Sequence, residues 1–333
     1  MINNVFLRTD YGAEFIELAV IINSFNRLEL LLESLPSVVD SLNISLPKKY
    51  AVVIFDAGST DGSIEFIQEF ANHDQTFPLI LICPPSSTDR SFAAGCNFAI
   101  QQASAIFSNL KWCFLFETDN FITNPNAISL GIKLLEKEDK LAGVGFTVKG
   151  AGFGATFPTP ISFVLGQQIS HYLGLQQPKI DNWYPIAESS WGYSDIVFTS
   201  PILIKRSVWQ STGGMDATQF PFSDSDCDWC WTVHEKGWRL AVINIFGVTH
   251  DNRKIASEWS SKRVLDYHRA RLRLLIKHRG AWVLNLKPFL AIRHYLEFFI
   301  LLLKSILSTQ AKNSLSSRVI LIKTVLSNYE NRA

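Results

Sequence analysis

Four short apolar runs organise the first third of the chain: Leu18–Ile22, Tyr50–Phe55, Leu79–Cys83 and Trp112–Phe116. Each is too short for an ordinary helix and shows little polar alternation, so each reads as a strand buried on both faces. Between them lie stretches of helical period. These are Arg27–Leu42, Ser63–Ala71 with Ile64, Ile67 and Phe70 on one face, and Phe92–Ala105. Pro36 should bend or break the first of these helices. Such alternation specifies an α/β fold: an open, largely parallel sheet with helices on both faces. Ligands of such sheets bind beyond the carboxyl ends of the strands. Three polar segments occupy those ends: Asn23–Arg27, Asp56–Ser59 and Glu117–Asp119.

The 333 residues are 47% hydrophobic and 18% charged, enough core for one large or two ordinary domains. The five cysteines are an odd number and lie mostly in apolar runs, which points to a reducing compartment rather than a disulfide framework. Cys227-x-x-Cys230 lacks the second Cys or His pair of a zinc finger. The N-terminus lacks the basic and apolar segments of a signal peptide, so a cytoplasmic location is expected.

The net charge of +1 conceals a strong asymmetry. Residues 1–252 carry 15 Lys/Arg against 26 Asp/Glu, or −11, whereas 253–333 carry 16 against 4, or +12. The change of charge divides the chain at 252; the part before it is read in two halves, about 16–120 and about 121–252, with a basic helical region over 253–333 beyond. In that region Leu, Ile and Phe are interleaved with the basic residues, as in Leu296–Leu307, which favours an anionic membrane surface over nucleic acid. Arg293, His294, Glu297 and Lys304 put too many charges in Pro288–Ser308 for a membrane span. An interfacial helix and a basic helix packed on the protein itself both fit.

Glu117-Thr118-Asp119 sets two acids at the exit of a buried strand, a costly placement that a divalent cation offsets. Asp56–Gly62 is a dense turn-and-cap segment. Asp56 either forms an Asx turn or holds a ligand by hydrogen bonds, and Asp61 reads as a helix-entry acid. Residues 147–195 are rich in Gly, Pro and aromatics, including Trp191, and read either as mobile loops with stacking surfaces or as an irregular insert.

In this order the segments resemble the family-2 glycosyltransferases, inverting enzymes of GT-A fold, and within them bacterial rhamnosyltransferase-like members. Ala19–Arg27 looks like the family's opening strand and turn, Phe55–Ser63 its Asp-Asn-Gly-Ser-Thr-Asp-Gly-Ser segment, and Phe92–Asn97 its Phe-Ala-Ala-Gly-x-Asn segment. Glu117-Thr118-Asp119 takes the place of Asp-x-Asp. Gly213–Asp216, Asp226–Trp231 and Val248-Thr249-His250 resemble the later blocks. The resemblance implies a nucleotide-diphosphate sugar donor, Mn2+ or Mg2+ as cofactor, and a saccharide or lipid-linked acceptor. It implies Ser24, Asn26, Asp56, Arg90, Glu117 and Asp119 on the donor side, and Asp119 and His250 as metal ligands. Asp226 is then the catalytic base, with Asp228, Trp191 and Trp229 toward the acceptor. The chain departs from the pattern twice: Glu117 replaces the family's first Asp, and Ser225 replaces the Glu before its base.

Two other readings compete. A catalytically silent saccharide- or nucleotide-binding protein on the same fold would accommodate Glu117 and Ser225. A sugar-phosphate nucleotidylyltransferase would need a glycine-rich loop after the first strand, where this chain has Asn23–Arg27.

Overall fold

In a computed structural model of the chain the described residues are 3–6, 13–73, 77–148, 154–166, 173, 180, 182–250 and 261–326. The elements run β1 (Asn3–Phe6), β2 (Leu18–Ser24), α1 (Leu28–Ser45), β3 (Tyr50–Asp56), α2 (Ser63–His73), β4 (Leu79–Cys83) and α3 (Phe92–Ile106). Then come β5 (Trp112–Leu115), β6 (Asn120–Ile122), α4 (Asn126–Lys137), β7 (Leu141–Phe146), α5 (Pro160–Leu165), β8 (Tyr184–Ile186) and β9 (Ser189–Ser194). The remainder is β10 (Ile202–Lys205), α6 (Arg206–Thr212), α7 (Ser225–Glu235), β11 (Arg239–Asn244), β12 (Val248–His250), α8 (Ser261–Arg279), α9 (Lys287–Lys304) and α10 (Thr309–Leu326).

The chain divides into two compact units, one of Met1–Thr156 with Lys179–Asn252, the other of Phe157–Pro178 with Arg253–Ala333. The first is built on a ten-stranded sheet in the order β1-β4-β3-β2-β5-β10-β7-β11-β9-β8. β2, β3, β4 and β5 are parallel, as the unbroken apolar runs require. β10 enters antiparallel between β5 and β7. Side chains alternate across the sheet. Val20, Ile22, Val52 and Ile54 join a core with α1, α2 and α4 residues, and on the opposite face Phe55 meets Phe98 of α3. α1 runs on through Pro36 instead of breaking there. Proline has no N–H for the carbonyl four residues back, that of Leu32, a residue on the exposed side of the helix.

Register fixes the ligand edge. Ser24 lies opposite Asp56 and Ile21 opposite Leu115, and the Phe116 N–H donates to the Ile21 carbonyl at 3.0 Å. Glu117 is therefore delivered to the same edge as Ser24 and Asp56. From the 147–195 segment, β8 and β9 form a hairpin that joins the sheet through β11, and α5 belongs to the second unit. Gly150–Phe153 of that segment lie outside the described residues.

In the second unit α9 and α10 pack together, joined by residues 305–308, and α8 packs on α10. Arg293 of α9 donates to the Phe163 carbonyl of α5 at 2.7 Å and to Glu297 at 3.0 Å, and Arg318 of α10 pairs with the same Glu297. Among the described residues no helix is long and apolar enough to cross a membrane.

Candidate active site

The triplet after β5 forms a tight turn, closed by the Asn120 N–H donating to the Glu117 carbonyl at 3.0 Å. β6 then starts at once and is pinned to α1, with Ser37 accepting from the Ile122 N–H and Ser41 donating to the Ile122 carbonyl. β12 pairs antiparallel with β6 and sets His250 directly opposite Asn120. Residues more than 120 positions apart thus converge: single ligand atoms of Glu117, Asp119 and His250 all lie within 4.8 Å of one another. His250 Nε2 stands 3.5 Å from Asp119 Oδ1, with the two side chains only 8% and 14% exposed.

The electrostatics there are unfavourable as they stand. Burial and the adjacent Asp119 charge raise the Glu117 pKa, and Asp226 adds to the rise; hydrogen bonds from Thr199 and Ser200 oppose it. Asp119 Oδ1 and His250 Nδ1 are buried with no hydrogen-bond partner among the described residues, an arrangement that costs free energy unless something meets them. Two carboxylates and an imidazole make a donor set suited to a divalent cation.

The other residues that the resemblance sets on the donor side come from the ends of β2 and β3 and from the loops after β2 and β4. Asp56 is fully buried and its oxygens are engaged in the turn, accepting from the Gly58 and Ser59 N–H groups and the Ser59 hydroxyl. Asn26, in the left-handed region at φ 51°, is exposed and accepts from the Thr60 N–H, tying the β2 loop to the β3 loop. Asp61 accepts from the Leu28 and Ser63 N–H groups and so caps α1 and α2 together. Arg90 spans the loops after β3 and β4, donating to the Pro84 carbonyl at 2.5 Å and the Ala57 carbonyl at 3.3 Å. A methyl group on Gly58 would sit 2.4 Å from the Arg90 guanidinium, and its φ of +98° also demands glycine. The Ser24 hydroxyl is buried and has no partner.

On the other side Asp226 sits in the first turn of α7, half-buried, with Oδ1 accepting from the Cys227 N–H at 2.8 Å. The three candidate acceptor residues are interior instead of lining an open surface. Trp229 is 1% exposed, packed at a tilt of 40° against Trp209, and its indole N–H donates to Thr212. Trp191 packs between Tyr184 and Tyr193, and Asp228 is 2% exposed. At 5% and 1% exposure, Trp191 and Trp229 present almost no ring face at the surface. The Gly213–Asp216 block has a structural use: Asn97 of α3 donates to the Met215 carbonyl and accepts from its N–H.

Two residues at the site carry no signal in spacing or motif. Thr199, just before β10, donates to Glu117 Oε1 at 2.5 Å. Asn120 is fully buried beside the triplet with neither side-chain polar atom partnered. Only the register of β6 against β12 reveals that it shares a face with His250.

Residues 19–193, more than half of the chain, match the family described as glycosyl transferase family 2. No curated protein sequence matches the chain. Among solved structures it is similar to the mannosyltransferase PcManGT of Pyrobaculum calidifontis in complex with GDP-Man and Mn2+, at 14% identity and TM-score 0.57, over 98% of this chain and 92% of that one. It is also similar to S. aureus TarS 1–349, at 12% identity and TM-score 0.50, over 93% and 90% of the two chains. A third likeness is to GalNAc-T7 with UDP, GalNAc and Mn2+, at 13% identity and TM-score 0.53, over 77% of this chain and 47% of that one. At such identities the likeness shows the fold alone, which is GT-A, but the family match stands on the sequence itself. The chain belongs to glycosyl transferase family 2 and is a glycosyltransferase.

Proposed function

We propose that the protein transfers a sugar from a nucleotide-diphosphate donor to a hydroxyl of a saccharide or lipid-linked acceptor, with inversion at the anomeric carbon. The observation that carries this reading is the convergence of Glu117, Asp119 and His250 within 4.8 Å at the carboxyl edge of the parallel strands. Asp119 and His250 would hold Mn2+ or Mg2+, with Glu117 beside them. Such a cation supplies positive charge against the diphosphate. The PcManGT and GalNAc-T7 structures each include Mn2+, which supports the assignment.

The chain's own groups divide the remaining work. Asp56 shapes the loop that, with Asn26 and Ser24, forms the donor side, and Arg90 braces that loop from behind. Asp226 accepts the acceptor hydroxyl proton as the new C–O bond forms and the bond from the anomeric carbon to phosphate breaks, releasing the nucleoside diphosphate. Its place in the first turn of α7 favours the ionised carboxylate the role needs. Thr199 holds Glu117 in position from outside the triplet.

Incubation with a panel of nucleotide sugars, dTDP-rhamnose among them, tests the reading. We expect manganese- or magnesium-dependent release of nucleoside diphosphate from one donor class. Binding of a donor without any release under all conditions would make the protein a silent binder instead.

A further inference from the structure

The second unit carries an exposed apolar surface on α9. α9 is apolar on two sides. Its inner side, with Leu290, Ala291 and His294, is buried. On its outer side Phe289, Ile292, Leu296, Phe299 and Leu303 are each more than half exposed, and Leu307 continues the row just past the helix. Their spacing of three or four residues stacks them in one stripe along the helix. Soluble surfaces scatter exposed apolar residues singly, and a continuous stripe marks a surface that is covered in use.

The charges of α9 sharpen the point. Arg293 and Glu297 bond to each other; Arg293 also bonds to the Phe163 carbonyl, and Glu297 to Arg318. Lys304 is exposed at the C-terminal end of the helix. The 157–178 segment adds no Asp, Glu, Lys or Arg, so the unit keeps the +12 of residues 253–333.

We infer that the outer face of α9 docks on an anionic lipid bilayer, with the helix lying in the interface plane and Lys304 among the headgroups. At 18 residues and about 27 Å it suits that orientation, and it is not long and apolar enough to cross. Charge decides between occupants. A second copy would bring another strongly basic unit against this one, whereas acidic headgroups attract it. The inference does not depend on the reaction catalysed.

The test is flotation of the full chain with vesicles of phosphatidylcholine alone and of phosphatidylcholine with phosphatidylglycerol at three to one. Binding should appear with the mixed vesicles, weaken as salt rises, and stay far lower with phosphatidylcholine alone. The double variant Phe299→Glu/Leu303→Glu should lower the partition coefficient by about tenfold or more while its circular dichroism is unchanged. The variant Lys304→Glu/Lys312→Glu alters two exposed lysines and checks the same claim without touching an apolar residue; a fall of several-fold is expected. Absence of binding to the mixed vesicles, equal binding to both kinds, or undiminished binding by either variant overturns the inference. So does self-association that the apolar-face variant abolishes in a chain that ignores vesicles, which would make a second copy the occupant.

Discussion

The two units of this chain treat charge and apolar surface in opposite ways. In the sheet unit, net charge −11, apolar side chains fill the interior, and carboxylates gather at the strand ends where Glu117, Asp119 and Asp226 work on one another. In the helical unit, net charge +12, Glu297 is tied by Arg293 and Arg318 while apolar side chains of α9 face outward. Acid concentrated at one edge suits a cation and the phosphates it carries. Base spread around an exposed apolar stripe suits an extended acidic surface. The difference teaches that the near-neutral whole is a sum of two specialised parts, and damage to one should leave the other's activity standing.

The largest separation is expected from Asp226→Asn. Loss of a general base should lower transfer by about 10²–10⁴-fold, with donor affinity within a few-fold of the parent and vesicle binding unchanged. A large fall in donor affinity, read by calorimetry, would take Asp226 out of the base role. Next comes Thr199→Val, which removes the hydroxyl holding Glu117. A partner of a site carboxylate is typically worth about 10–100-fold, and Mn2+ affinity measured without any acceptor present should fall in that range. Unchanged affinity would make Thr199 a packing residue only. The smallest effect is expected from Gly58→Ala, which forces a side chain into the left-handed region and against Arg90. We expect ~1–3 kcal/mol of lost stability in thermal or denaturant unfolding and a several-fold weaker donor, because the loop carried by Asp56 must shift. A stability equal to the parent's would show that the Arg90 brace is dispensable.

Much of the sheet unit was legible in the chain. Leu18–Ile22 and Tyr50–Phe55 are apolar without interruption, which only a strand buried on both faces tolerates, and parallel neighbours follow from the helices between. The helix-capping work of Asp61 was also readable, since a short acid before Ser63 meets free N–H groups wherever a helix begins there. Legibility failed where a residue's partner is set by tertiary register. The resemblance sets Trp191 and Trp229 toward the acceptor, and the structure buries both, on faces of β9 and α7 that turn inward. Thr199 is 82 residues from Glu117, and nothing in either segment announces the bond. Of the two outcomes expected at Pro36, a break does not occur: α1 continues through it with one helical N–H fewer.

In the helical unit composition revealed the basic character but not its arrangement. Arg293, Glu297 and Lys304 read equally in sequence as charges that prevent a span. The packing pairs the first two with each other and with partners on α5 and α10, leaving the α9 stripe free of them.

The central claim is that Glu117, Asp119 and His250 form one cation site serving a nucleoside diphosphate. Electron paramagnetic resonance of free Mn2+, titrated with the full chain with and without UDP, GDP and dTDP, tests it most directly. The account predicts one bound Mn2+ per chain, tightened by the matching nucleoside diphosphate and lost in Asp119→Ala. Identical Mn2+ binding by the parent and Asp119→Ala would contradict it.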